Sequence, residues 1–181
     1  QVYEWIWKHY KLDFDLMTNL PLDLRELLKK RFFFNKISIL QKSISIDRTT
    51  KFLFQIGKNK VVEGVLIPQL SRLTACISSQ IGCSLACNFC ATGKLKLDRN
   101  LTVGEIFDQV FLINKYAIKK FKKPITNIVY MGMGEPLLNI KNVLKSTDHI
   151  TSNSGLGMSA KRITVSSSGI IKMIRKIADM Q

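Results

Sequence analysis

The chain is poor in cysteine, in acidic residues and in uninterrupted apolar sequence, and each shortage excludes something. Four cysteines in 181 residues are too few for a disulfide-stapled secreted scaffold, which is smaller and denser in cysteine. Gln1–Leu12 shows no basic start, apolar middle and small-residue cleavage site, so no signal peptide is expected there. The longest charge-free stretch, Leu73 to Gly93, is long enough to cross a bilayer. Thr74, Ser78, Ser79, Gln80, Ser84, Asn88 and Thr92 interrupt it, so no membrane span is expected. No internal repeat or low-complexity tract occurs apart from Lys115–Lys123, whose lysines read as solvation of a helix end. Only 13 acidic residues stand against 28 Lys and Arg, a net charge of +15. That imbalance points to a polyanion as partner, either nucleic acid or an anionic membrane surface.

What is present suits a packed protein. Hydrophobic residues make up 46% and charged residues 23%, which supports a core and argues against wholesale disorder. The length fits one domain, or one with a small appendage. The chain does not open on Met and stops at Gln181 directly after a helix-like run, so both ends read as cut.

Residues 1–35 read as a helical accessory domain. Val2, Trp5, Ile6 and Tyr10 recur at helical spacing, and Pro21 can open a second helix. In that helix Leu24, Leu27 and Leu28 share a face opposite Arg25, Lys29, Lys30 and Arg31. The basic face suits either plain solvation or contact with RNA. Residues 36–72 shift to a period of two, with a turn signal at Gly57-Lys-Asn59, and predict an antiparallel extension.

From residue 73 onward strands and helices alternate. Leu73–Ser78, Ile125–Met131 and Arg162–Ser166 read as strands. Helices are expected from Thr102 to about Lys119, around Ile140–Ile150, and from Ile170 to Ala178. Thr102-Val-Gly-Glu105 has the form of a capping box. The fold class is therefore α/β, with parallel strands and right-handed crossovers. Three βα units do not close a barrel, which at eight-fold size needs about 250 residues. Residues 73–181 are thus expected to be an incomplete βα barrel that continues past Gln181.

Three of the four cysteines lie together: Cys83-Ser-Leu-Ala-Cys87-Asn-Phe-Cys90, a C-x3-C-x2-C spacing. A short loop of this kind can wrap three thiolates around one 4Fe-4S cube and leave the fourth iron open to a small molecule. Zinc is the competing metal; it needs four ligands, with Cys76 the available fourth, and neither His9 nor His149 is near in sequence. The charge-free surroundings suit chemistry that must be kept from water.

In context the motif resembles a known family. Cys76-Ile-Ser-Ser-Gln-Ile-Gly-Cys83 and the cysteine cluster lead to Met131-Gly-Met-Gly-Glu-Pro136 and then to Arg162-Ile-Thr-Val-Ser-Ser-Ser-Gly169. This series is similar to the RlmN/Cfr family of radical S-adenosylmethionine (SAM) RNA methyltransferases. Gln1-Val-Tyr-Glu-Trp-Ile-Trp-Lys and Asp13–Pro21 resemble the accessory domain of its RlmN branch. The similarity runs from Gln1 to Gln181 and would cover about half of a full-length member. It implies the first three βα units of a partial (βα)6 barrel of the TIM type, and a cytoplasmic enzyme with no membrane attachment. The implied substrates are C2 of an adenine in 23S rRNA and the adenine 3′ of the anticodon in tRNA. The implied cofactors are a 4Fe-4S cluster and SAM, with a flavodoxin-like electron donor. The alternatives are a Cfr-type enzyme acting at C8, or a non-catalytic zinc-bound RNA-binding protein.

The resemblance also assigns roles. Cys83, Cys87 and Cys90 become the cluster ligands. Gly134 and Glu135 hold the amino group of SAM, where the plain reading is a strand-to-helix turn. Ser166 becomes a SAM contact, where the plain reading is a helix N-cap. Cys76 matches the second catalytic cysteine rather than a small core residue, and Glu63 the proton acceptor rather than an exposed strand carboxylate. Adenine C2 offers no nucleophilic lone pair to SAM, so the family first methylates a cysteine of its own and delivers that carbon by radical addition. The methyl-carrying cysteine lies far downstream in the family. The 181 residues contain only Cys76, Cys83, Cys87 and Cys90, so this polypeptide is expected to bind the cluster without turning over.

Overall fold

The computed structural model describes residues 1–179, so the last two positions of the barrel segment fall outside it. Its central feature is a six-stranded sheet in the order β1-β2-β3-β4-β7-β8. Strands β1 (Ser38–Ile44), β2 (Thr50–Ile56), β3 (Lys60–Gln69) and β4 (Arg72–Cys76) are antiparallel neighbours. Strand β7 (Asn127–Tyr130) lies parallel to β4, and β8 (Ile163–Val165) lies parallel to β7. The expected extension and the expected barrel strands therefore share one sheet. A two-stranded ribbon, β5 (Gln80–Ile81) with β6 (Arg99–Asn100), stands beside it.

Alternation sorts the two faces. On β2, Thr50, Phe52, Phe54 and Ile56 are buried while Lys51, Leu53 and Gln55 point the other way. The buried face continues through Val62, Leu66, Leu73, Ala75, Ile128 and Tyr130. Helix α3 (Val103–Phe121) covers it with Ile106, Phe107, Val110, Ile113 and Ala117, and α4 (Ile140–Thr151) adds Val143 and Ile150. The expected capping box forms: Glu105 N–H donates to Thr102 Oγ1, and Glu105 Oε2 accepts the Thr102 N–H. Helix α5 (Ile171–Ala178) follows β8.

The N-terminal residues build a second, small core. Helices α1 (Val2–Trp7) and α2 (Leu22–Arg31) enclose Phe14, Met17 and Leu20, with Trp5, Ile6, Leu28 and Phe34 against them. Two local expectations fail here. Helix α1 ends at Trp7, and Tyr10 sits in left-handed backbone at φ 49°, its ring stacked 3.7 Å from Phe111 of α3. On α2 only Leu28 packs inward, and Leu24 and Leu27 are exposed. The loop residues Phe14, Met17 and Leu20 already fill this core, so one edge of the helix suffices. Among the described residues no helix is long and apolar enough to cross a membrane.

Candidate functional site

Three loops meet at the carboxyl ends of the parallel strands β4, β7 and β8, where barrel folds assemble their sites. The first holds the cysteines, the second is Met131–Pro136, and the third is Ser166–Gly169. Buried polar side chains of the charge-free run tie them together. Ser78 donates from Oγ to the Glu63 carbonyl (2.6 Å) and accepts the Met133 N–H (2.8 Å). Gln80 accepts the Glu135 N–H at 2.8 Å and donates to Asn100 Oδ1 at 2.7 Å. Asn139 donates to the carbonyls of Ser79 and Leu101, both at 2.8 Å.

The glycines of the second loop are dictated by contact. Gly132 lies against β4's extension, and a Cβ there would stand 2.7 Å from Ser78 Oγ. Gly134 has φ +93° and a Cβ on it would collide with the Gln80 side chain. Glu135 is buried, and its carboxylate is used within the protein. Oε1 accepts the Leu137 N–H at 3.0 Å; Oε2 accepts the Ser168 N–H at 2.8 Å and the Ser168 hydroxyl at 3.0 Å. Gly134, Glu135 and Ser166 line one cavity of about 280 Å³ together with Met131 and Ser168. Ser166 is not a helix cap, because α5 takes Ile170 as its N-cap. The structure thus brings these three residues together; the cysteines are not part of that lining.

Cys83, Cys87 and Cys90 are half-buried on the first loop, with Phe89 between them 94% exposed. The loop is more open than its charge-free sequence suggests. It closes through Cys90 N–H to Cys87 O and Gly93 N–H to Cys90 O, each 3.0 Å. Gly93 rests so near Cys87 that a Cβ would stand 2.7 Å from its carbonyl oxygen, and a side chain would spread the loop. Among the described residues no three His, Cys, Asp or Glu side chains converge as ligands of a single metal ion. Three cysteines on one compact loop are of the donor type that a polynuclear iron–sulfur group takes, each thiolate at a separate corner.

Cys76 and Glu63 share the sheet face turned away from α3. Cys76 pairs with Val65 and Val129, and Glu63 lies two residues before Val65 on β3. Burial pushes the Cys76 thiol above its ordinary pKa, and a hydrogen bond with the Met131 backbone opposes the rise. Glu63 Oε1 forms an ion pair with Lys51 at 3.0 Å, with its side chain 46% exposed. It also borders a groove of about 670 Å³ whose other wall includes Gly82, Ala91 and Thr92, the flanks of the cysteine loop.

Residues 1–33 match the family described as "Ribosomal RNA large subunit methyltransferase N-terminal domain". The whole chain is 54% identical over 179 residues to the probable dual-specificity RNA methyltransferase RlmN of Cytophaga hutchinsonii, covering 99% of this chain and 49% of that protein. It is 44% identical over 178 residues to the dual-specificity RNA methyltransferase RlmN of Buchnera aphidicola, covering 98% and 49%. The crystal structure of a radical SAM methyltransferase from Sphaerobacter thermophilus superposes with a TM-score of 0.85 at 36% identity, over 98% of this chain and 52% of that one. Along nearly its whole length this chain is similar to RlmN proteins. It spans about half the length of the curated relatives it matches, and over the superposed residues its mixed α/β fold is shared with the Sphaerobacter protein.

The residues that sequence reading misses are the buried brackets Ser78, Gln80 and Asn139, with the exposed Asn100 as partner of Gln80. In the sequence Ser78 and Gln80 register only as polar interruptions of a charge-free run. Uncharged polar residues in a strand-like stretch were the available signal, because a buried polar group must find a partner.

Proposed function

We propose that this chain carries the cluster- and SAM-binding part of an enzyme that methylates C2 of an adenine in 23S rRNA and of the adenine 3′ of the anticodon in tRNA. The observation that carries this reading is that the start of the cysteine loop at Gln80, the Gly132–Pro136 loop and the Ser166–Gly169 loop are linked by hydrogen bonds at one end of three adjacent parallel strands. Cys83, Cys87 and Cys90 hold three corners of a 4Fe-4S cluster. Once bound, the cluster and SAM supply one-electron cleavage of a sulfonium, with electrons from a flavodoxin-like donor. The Gly134 backbone and Ser166 bound the SAM cavity, and Glu135 fixes its shape by anchoring Ser168 to the turn at Leu137. Cys76 acts as the resolving nucleophile on the sheet face it shares with Glu63, the proton acceptor. The basic excess supplies phosphate contacts, so RNA affinity falls with salt, and the target adenine must be unstacked to be reached.

Anaerobic incubation with iron and sulfide is expected to give a brown protein with about four irons per chain, and alanine at Cys83, Cys87 or Cys90 to abolish both iron and SAM uptake. A colourless protein holding one zinc would overturn the reading. Cys76→Ala is expected to keep the iron. The 181-residue polypeptide alone is expected to release no methylated adenine, since it has no cysteine left to carry the methyl group. Deleting the gene in its source organism should remove 2-methyladenosine from 23S rRNA, read by isomer-resolved mass spectrometry. Loss of 8-methyladenosine in its place would refute C2 specificity.

A further inference from the structure

A second cavity, of about 730 Å³, lies between α1, the segment after α2 (residues 33–35), the amino-terminal half of α3 and the Asn142–His149 stripe of α4. It shares no residue with the three site loops. We propose that it is a pocket for an unstacked nucleotide of single-stranded RNA, holding the base among aromatic rings and the phosphate at lysine. The proposal rests on the RNA-modifying reading above and adds a binding site remote from the reacting adenine.

The size lies within the range of roughly 300–1,000 Å³ usual for small-ligand sites. Its walls include Tyr3, Trp7, Phe33, Phe34 and His149. These are pre-organised: Trp7 stacks on His149 with ring centres 3.9 Å apart and planes within 4°, and its edge meets Phe107 at 4.9 Å. Phe33, at the mouth, is 83% exposed. With Tyr3 also 40% exposed, the two outer rings leave surface on which any base can stack, whatever the sequence.

The polar groups suit a nucleotide as well. Tyr3 Oη and His149 Nδ1 are hydrogen-bonded at 2.7 Å, which leaves Nε2 of the neutral ring as the polar atom for a base, donor or acceptor according to the tautomer. Burial, and then Lys145, lower the His149 pKa and favour this neutral form. Lys145 lines the cavity, Lys141 lies one turn before it on α4, and Lys36 follows the lining residue Asn35. Among the described residues none of these three lysines is in an ion pair. The lining's one carboxylate, Asp108, is already engaged by the Ile37 N–H at 3.3 Å and the Tyr10 hydroxyl. The mouth therefore presents unpaired positive charge beside aromatic rings, which complements a phosphate and a base together.

The test uses a fluorescently labelled, unstructured ten-nucleotide oligoadenylate, followed by anisotropy across a salt series. Phe33→Ala is expected to weaken binding roughly tenfold. Lys145→Ala is expected to reduce the slope of log affinity against log salt by about 0.7, the loss of one single-strand phosphate contact. Both side chains are exposed, so melting temperatures should not change. Ultraviolet cross-links should map to peptides carrying Trp7 or Phe33. RNA binding that ignores both substitutions and cross-links elsewhere would overturn the pocket while leaving the RNA-modifying reading intact. Failure to bind the oligonucleotide, with the gene deletion still removing 2-methyladenosine, would likewise overturn the pocket alone. Equal affinity for an oligoglutamate of ten residues would assign the cleft to an acidic protein and overturn the proposal.

Discussion

The Ser78 hydroxyl makes two hydrogen bonds to segments far from it in sequence, the Glu63 carbonyl and the Met133 N–H. Fully buried, it joins β3 to the loop after β7. Ser78→Ala leaves a part-buried N–H and a part-buried carbonyl short of a partner and is expected to cost about 1–3 kcal/mol, measured by urea unfolding. Because Met133 lies in the Gly132–Pro136 loop, the variant should also weaken SAM uptake while retaining iron. Glu135 shows the same division between chemistry and position. Its sequence context resembles a SAM contact, yet its carboxylate accepts three hydrogen bonds from Leu137 and Ser168. The residue was legible as important, but its partners were not, because they come from another loop.

At the scale of elements, α3 depends on a cap reinforced from β6. Arg99 grips Glu105 through two bonds of 2.7 and 2.8 Å. Burial acts to raise the Glu105 pKa, but Arg99 and the Thr102 N–H outweigh it and the net shift is downward. A depressed carboxylate contributes stability above its unfolded value, lost as pH falls through the lower folded value. Arg99→Ala is therefore expected to cost about 1 kcal/mol at pH 7, a modest figure because the arginine is 42% exposed. The difference from the parent should shrink in denaturation below pH 4. The capping box itself was readable from Thr102 and Glu105, since four adjacent residues define it. The Arg99 reinforcement needed the ribbon of β5 and β6, two residues per strand, which carries no periodicity to detect.

Across the whole molecule, the N-terminal segment is held to the barrel helices by Trp7 on His149, Tyr10 on Phe111 and Asp108 on the Ile37 N–H. Burial lifts the Asp108 pKa to about 6, against the lowering influence of the Ile37 and Tyr10 hydrogen bonds. A raised carboxyl favours folding below its unfolded value and withdraws that stability as pH climbs through about 6. Asp108→Asn is expected to remove this loss, so its urea midpoint should change less than the parent's between pH 5 and 7.5. The buried His149 acts in the opposite direction, its depressed pKa making protonation unfavourable to docking, and it stays unchanged in that comparison. The amino-acid order alone determined the strand alternation, the helix starts, the βα succession and the cysteine spacing, because each rests on neighbours within a few positions. Only the tertiary structure decided that Tyr3 meets His149 across 146 positions and that Gln80 holds Glu135 across 55. A side chain's hydrogen-bonding capacity is written in its chemistry, but its partner is chosen when the sheet and helices exclude water and leave one group within reach.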